Sequence, residues 1–228
     1  MPQTQDALRA AFCRWGLPGA LRLDDGYPRG NWSELPTALA LWLAGLGVGL
    51  LFNPPRRPRD NPVVERSHGV SKGWVEVETC HSAEELQARL DEMDKIQREE
   101  YLLRNGKSRR ELFAQLRNKR QEYDARWEGA CWQERLAREY LALQVALRRV
   151  DSQGKVTVYA TPYYVGIVHR QQLCVVQYDA DAGEWVFSSA DGTQGCHRPA
   201  QQITTERIRS LTVSAKPSRN HGKTSCPN

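Results

Sequence analysis

A chain of 228 residues, 40% hydrophobic and 26% charged, has an ordinary globular composition and length enough for one or two domains. Its net charge of +5 and pI near 8.9 lean mildly toward polyanionic partners. Six cysteines without a single CxxC spacing, and no leader-like segment, argue against a secreted disulfide framework and for reduced thiols in the cytoplasm.

Residues 4–15, "TQDALRAAFCRW", read as an amphipathic helix. Thr4 can cap it, Leu8, Ala11, Phe12 and Trp15 share a face, and Gly16 with Pro18 stops it. "ALRL", residues 20–23, is a short strand, followed by Asp24 and a loop over 25–33. Asp25-Gly26 reads equally as a polar turn. The uncharged run 35–52 is about the minimum length of a membrane span. Glycines at 45, 47 and 49 interrupt it, so it reads instead as a buried helix over 36–45, with Pro36 in the first turn, and a buried strand over 48–52. Membrane is therefore not an expected partner. Trp15, Trp42 and Trp185 are expected in the core.

Prolines in "NPPRRPRDNPVVERSHG", residues 53–69, prevent regular structure as far as Asn61, which can cap a new helix with Pro62 as its first residue. Glu65 then falls in the first turn and Lys72 shares its face. Helix, strand, helix, strand, helix is an α/β pattern. From 82 the texture changes: Ser82 with Glu85, and Ser108 with Glu111, form capping boxes, and 132–149 reads as a further helix through Leu136, Tyr140, Leu143 and Leu147. Residues 95–126 carry ten Lys/Arg against five acids, which suits either a nucleic-acid surface or a solvated helical face. From Lys155 the period falls to two, giving four or five short antiparallel strands, enough for a small barrel. The polar stretch 215–228 is expected to be disordered. Cys80-His81 and Cys196-His197 are adjacent pairs, and sequence neighbours rarely both reach one zinc ion.

Two acids stand out. Asp24 ends one strand and Glu65 opens the helix after the next, and functional groups of α/β sheets gather at the C-terminal ends of strands. Two carboxylates there can hold Mg²⁺, and paired ions can run in-line displacement at phosphorus. "LRLDDG" resembles the strand carrying the second catalytic aspartate of DDE-type transposases and retroviral-type integrases. "FNPPRRPRDNPVVERSHG" resembles the stretch of bacterial insertion-sequence transposases that carries the catalytic glutamate. The likeness continues through "EELQARLDEMDKIQREEY" and the β-rich "GKVTVYATPYYVG…EWVF".

The resemblance implies a partial ribonuclease-H-like catalytic core over 1–79, a basic helical connector over 80–150 and a small C-terminal β-barrel over 151–214, hence α/β plus β. It implies Asp24 and Glu65 as catalytic, metal-binding acids, with Mg²⁺ or Mn²⁺ as cofactor. Arg56, Arg57, Arg66 and Lys72 would meet the phosphates of double-stranded DNA. A homo-oligomer is among the candidate partners. Asp25 stands where the family has Asn, and Pro62 where Gly is common. The family's first catalytic aspartate lies on an earlier strand, whereas residues 1–23 read as helix before "ALRL". The expected function is therefore DNA transposition or integration by an N-terminally truncated form, inactive alone, with a non-enzymatic DNA-binding remnant as the alternative.

Overall fold

In the computed structural model, the described residues are 2–23, 35–53, 62–189, 192 and 195–214, and for 2, 62–65 and 116–117 the description is of the backbone. Asp24, Asp25, Arg56, Arg57, Asn61 and the 215–228 stretch lie outside it.

Helix α1 spans Pro2–Trp15. Gly16 closes it at φ +82°, a left-handed conformation that favours glycine. Its N–H reaches the Phe12 carbonyl at 2.7 Å. A Cβ there would lie 2.7 Å from the Gln121 carbonyl oxygen, the group that accepts from Leu17 N–H at 2.9 Å. Strand β1, Ala20–Leu23, runs parallel to β2, Gly49–Phe52, with Ala20 opposite Gly49 and Leu23 opposite Phe52. Both strands are half-exposed rather than buried, because they form a sheet of two.

Between them lies α2, Ala38–Gly45, buried at every position, as an all-apolar helix must be. Its N-cap is Thr37, whose hydroxyl accepts from Ala40 N–H at 3.2 Å. Pro36 therefore sits outside the first turn, where its carbonyl accepts from Tyr159 Oη at 2.5 Å. Trp132 lies against Gly45 and donates Nε1–H to the Trp42 carbonyl at 3.0 Å. A Cβ on Gly45 would come within 2.2 Å of that indole, so the residue is glycine for contact, not for turning.

Helix α3, Pro62–Val75, continues through Gly69 as read from the sequence. Helix α4, Ala83–Lys95, starts on Ser82, whose hydroxyl accepts from Glu85 N–H. Glu85 reaches back one residue further than a capping box requires, to His81 N–H. A π-turn over Ile96–Glu100 ends the helix. The Ser108–Glu111 box is complete but opens only the short α5, Arg109–Leu112. After α6, Glu128–Cys131, comes α7, Glu134–Ala142.

The helix read over 132–149 stops there. Val145–Arg149 is strand β3, the edge of an antiparallel sheet ordered β3-β6-β7-β8, with β6 Leu173–Asp179, β7 Glu184–Ser189 and β8 Gly195–Pro199. Ala146, Val176, Tyr178, Trp185 and Phe187 are buried on its inner side. Strands β4, Lys155–Val158, and β5, Thr161–Tyr164, form a separate hairpin. No ladder joins β3 to β8, so the strands do not close into a barrel among the described residues. Helix α8, Thr205–Arg209, packs against α2. The result is a mixed α/β fold.

One contiguous cluster of buried side chains runs from Phe12 of α1 through α2, Trp132 and α7 to the sheet and Val213. It crosses both boundaries read from the sequence, at 79/80 and 150/151. Gln5 of α1 donates to the Arg209 carbonyl of α8 at 2.9 Å, joining the two ends of the described chain. Among the described residues no helix is long and apolar enough to cross a membrane; the 35–52 run is α2 and β2.

Candidate nucleic-acid interface

The strand-end site is built by the β1–α2–β2 unit. Parallel pairing brings both strand C-termini to one end, and Asn53 N–H donates to the Leu23 carbonyl at 2.9 Å, extending the register one residue beyond Phe52. Asp24 is the next residue after Leu23. Pro62 begins α3, which carries Glu65 in its first turn and Lys72 two turns on along the same face. Arg66, His68 and Lys72 are all exposed. Asp24, Arg56 and Arg57 lie outside the described residues, as does the Glu65 side chain. Among the described residues no three His, Cys, Asp or Glu side chains converge as metal ligands.

The basic connector divides into cations that are engaged and cations that are not. Arg110 pairs with Glu99 at 2.8 Å, Lys119 with Glu122 at 2.9 Å and Arg126 with Asp124 at 2.5 Å. The Asp124 carboxyl, held by the Arg126 side chain and backbone, is pulled down to about 2. Arg98 donates to the Asp94 carbonyl and Arg109 to the Gln97 carbonyl. Arg104 and Lys107 are exposed and make no ion pair among the described residues. Charge counting along the sequence could not make that division, because it depends on which acids fold back onto the segment.

Aromatic side chains accompany these cations. Trp15 is not core: it is 48% exposed, with the Arg14 and Arg98 guanidinium carbons 4.8 and 4.3 Å from its ring centre. It is the last residue of α1, beyond the turn that Phe12 buries, and Arg14 is tied to Asp91 of α4. Trp42 and Trp185 are fully buried, as expected.

A second polar centre has no visible sequence signal. Glu128, buried in α6, accepts four hydrogen bonds. Arg9 donates from Nε and Nη2, both at 2.8 Å, Tyr123 Oη donates at 2.6 Å and Trp42 Nε1 at 3.1 Å. Burial alone would raise its carboxyl, but the hydrogen bonds from Arg9, Tyr123 and Trp42 more than offset that and hold it below the usual range. Burial, with the Glu128 hydrogen bond, pushes the Tyr123 phenol up. The four bonds use the carboxylate's lone pairs, which makes this centre a structural clamp with no oxygen left for a substrate.

On β8, Cys196 and His197 alternate, the thiol lining a pocket of about 480 Å³ with Cys174 and His169, and the imidazole facing Glu184 at 3.4 Å. No protein-family model matches the chain.

Proposed function

We propose that the chain has a polynucleotidyl-transferase core of the DDE transposase and integrase type, binding double-stranded DNA but inactive in strand transfer alone. The observation that carries this reading is the parallel β1–β2 pair, with Leu23 opposite Phe52, followed by a helix holding Glu65 in its first turn. An acid after one strand and an acid opening the helix beyond the next is the arrangement a ribonuclease-H-like core uses at its strand ends. Two carboxylates are the hard oxygen donors that Mg²⁺ and Mn²⁺ prefer, so Asp24 and Glu65 suit such an ion. When bound, the ion would polarise the scissile phosphate. Arg56, Arg57, Arg66 and Lys72 supply positive charge around Glu65 for the DNA backbone, and the β-rich part is the counterpart of the family's small C-terminal barrel.

The test is duplex binding with and without Mg²⁺ or Mn²⁺, followed by an assay for nicking and strand joining. The expected result is a metal-dependent increment in affinity that Asp24→Asn and Glu65→Gln each remove. Binding indifferent to metal and to both substitutions is that of a non-enzymatic DNA-binding remnant. Absence of DNA binding defeats both readings.

A further inference from the structure

Trp74, on the last turn of α3, meets Tyr101 edge to face, with ring centres 6.3 Å apart and planes at 65°. The two rings are 48% and 50% exposed, although each lies against the other. The Arg109 guanidinium carbon sits 5.8 Å from the Tyr101 ring centre, and its Nη1 is anchored to the Gln97 carbonyl at 2.7 Å. Tyr101 leaves directly from the π-turn, where its N–H bonds the Ile96 carbonyl at 2.8 Å. π-turns often mark functional places in a helix. The chain then makes a tight hairpin. Leu102 bridges Ser108, Leu103 N–H donates to the Lys107 carbonyl at 2.9 Å, and Gly106 turns the tip at φ +72°. Arg104 and Lys107, which make no ion pair among the described residues, stand on that tip.

Exposed aromatic faces, beside a fixed guanidinium and two cations that make no ion pair among the described residues, suit a ligand with flat rings and a negative backbone. In a duplex the base faces are already stacked on one another; only an unpaired nucleotide can offer one. Trp74 lies roughly two and a half helical turns from Glu65, on the opposite face of α3. The surface therefore lies on the face of α3 away from position 65.

We infer that Trp74 and Tyr101 stack an unpaired base of single-stranded DNA, with Arg104 and Lys107 on its phosphates. The choice of DNA rests on the proposed function; the stacking does not. The experiment is fluorescence anisotropy on the full chain with three probes: blunt duplex, the same duplex with a short unpaired overhang, and the overhang strand alone. A fluorescent purine in the overhang reports stacking directly. The overhang duplex is expected to bind more tightly than the blunt one and its purine to be quenched. Trp74→Ala should weaken overhang binding roughly ten-fold while Trp74→Phe keeps most of it. Blunt-duplex affinity should stay unchanged, which also shows that the variant is folded. Equal affinity for blunt and overhang duplexes, or Trp74→Ala equal to wild type, overturns the inference. So does displacement of the strand by polyglutamate at matched charge, which would mean an acidic-peptide surface. Overhang stacking in a chain whose Asp24→Asn and Glu65→Gln variants behave as wild type upholds this inference and counts only against the catalytic reading.

Discussion

Arg9 and Glu128 are 119 positions apart and meet through two parallel hydrogen bonds of 2.8 Å each. The pair fastens α1 to the segment that precedes α7, and through Trp42 it reaches the buried helix α2. Breaking one partner of a buried pair leaves the other charge desolvated and alone. Glu128→Ala should therefore lower unfolding stability by about 3 kcal/mol. Arg9→Ala should cost a comparable amount, and the double variant less than the sum of the two. Urea denaturation of the four proteins in the cycle measures this.

The same carboxyl sets a pH dependence. Its folded-state value lies below the unfolded value of about 4.3. Its contribution is thus fully present above about pH 4.3 and disappears as pH falls through the lower, folded value. Glu128→Gln should be less stable than wild type at neutral pH and should lose less stability on acidification. Urea midpoints taken across the acidic range decide it; parallel curves would remove Glu128 from the account.

Gly45→Ala places a methyl group 2.2 Å from the buried Trp132 indole. Overpacking of this kind costs about 1–3 kcal/mol. Thermal unfolding should show the loss, and Gly45→Ala combined with Trp132→Phe should recover part of it.

The β4–β5 hairpin turns on Tyr159 and Ala160, both left-handed, at φ 46° and 62°. Tyr159 is held there by its bond to Pro36 and its contact with Trp185, rings 5.9 Å apart. Ala160 has no such compensation. Ala160→Gly should stabilise the protein by about 0.5–1 kcal/mol, the left-handed penalty less the added chain entropy of glycine.

Duplex binding should weaken with salt. With about four phosphates neutralised, log affinity falls with log salt at a slope of about −3.6. Arg66→Gln with Lys72→Gln should flatten the slope by about 1.8 units, whereas Arg126→Gln, already paired with Asp124, should change it little. Titration at several salt concentrations separates the two.

Local signals made much of the fold legible. Ser82 and Ser108 cap helices where the sequence places them, and Gly16 and the glycines after Ala44 end them. The β1–α2–β2 alternation follows from apolar period alone. The helix read over 132–149 runs too far because Leu136, Tyr140, Leu143 and Leu147 do recur at helical spacing. Yet Leu143 is 77% exposed, and β3 carries Val145 and Leu147 on its outer side with Ala146 inside. A strand apolar on both faces has no period to distinguish it. The Tyr159–Ala160 turn lacks the glycine or asparagine that usually announces one. The Glu128 centre was invisible for a different reason: its donors come from residues 9, 42 and 123, and no local pattern links them. For the candidate site, the sequence marks Asp24 and Glu65 and the excess of cations; it does not separate engaged cations from free ones, nor turn Trp15 outward.

The bond from Gln5 to the Arg209 carbonyl has a consequence for synthesis. Helix α1 is the first described element to leave the ribosome, and its partners are at 128 and 209. At about 5–20 residues per second, a separation of 204 positions takes on the order of ten seconds or more to emerge. Until position 128 emerges Arg9 has no carboxylate to meet, and until position 209 emerges Gln5 has no carbonyl to bond. The segment made earliest is secured last, so an interrupted chain presents a bare amphipathic helix to chaperones and proteases, while a finished one conceals it.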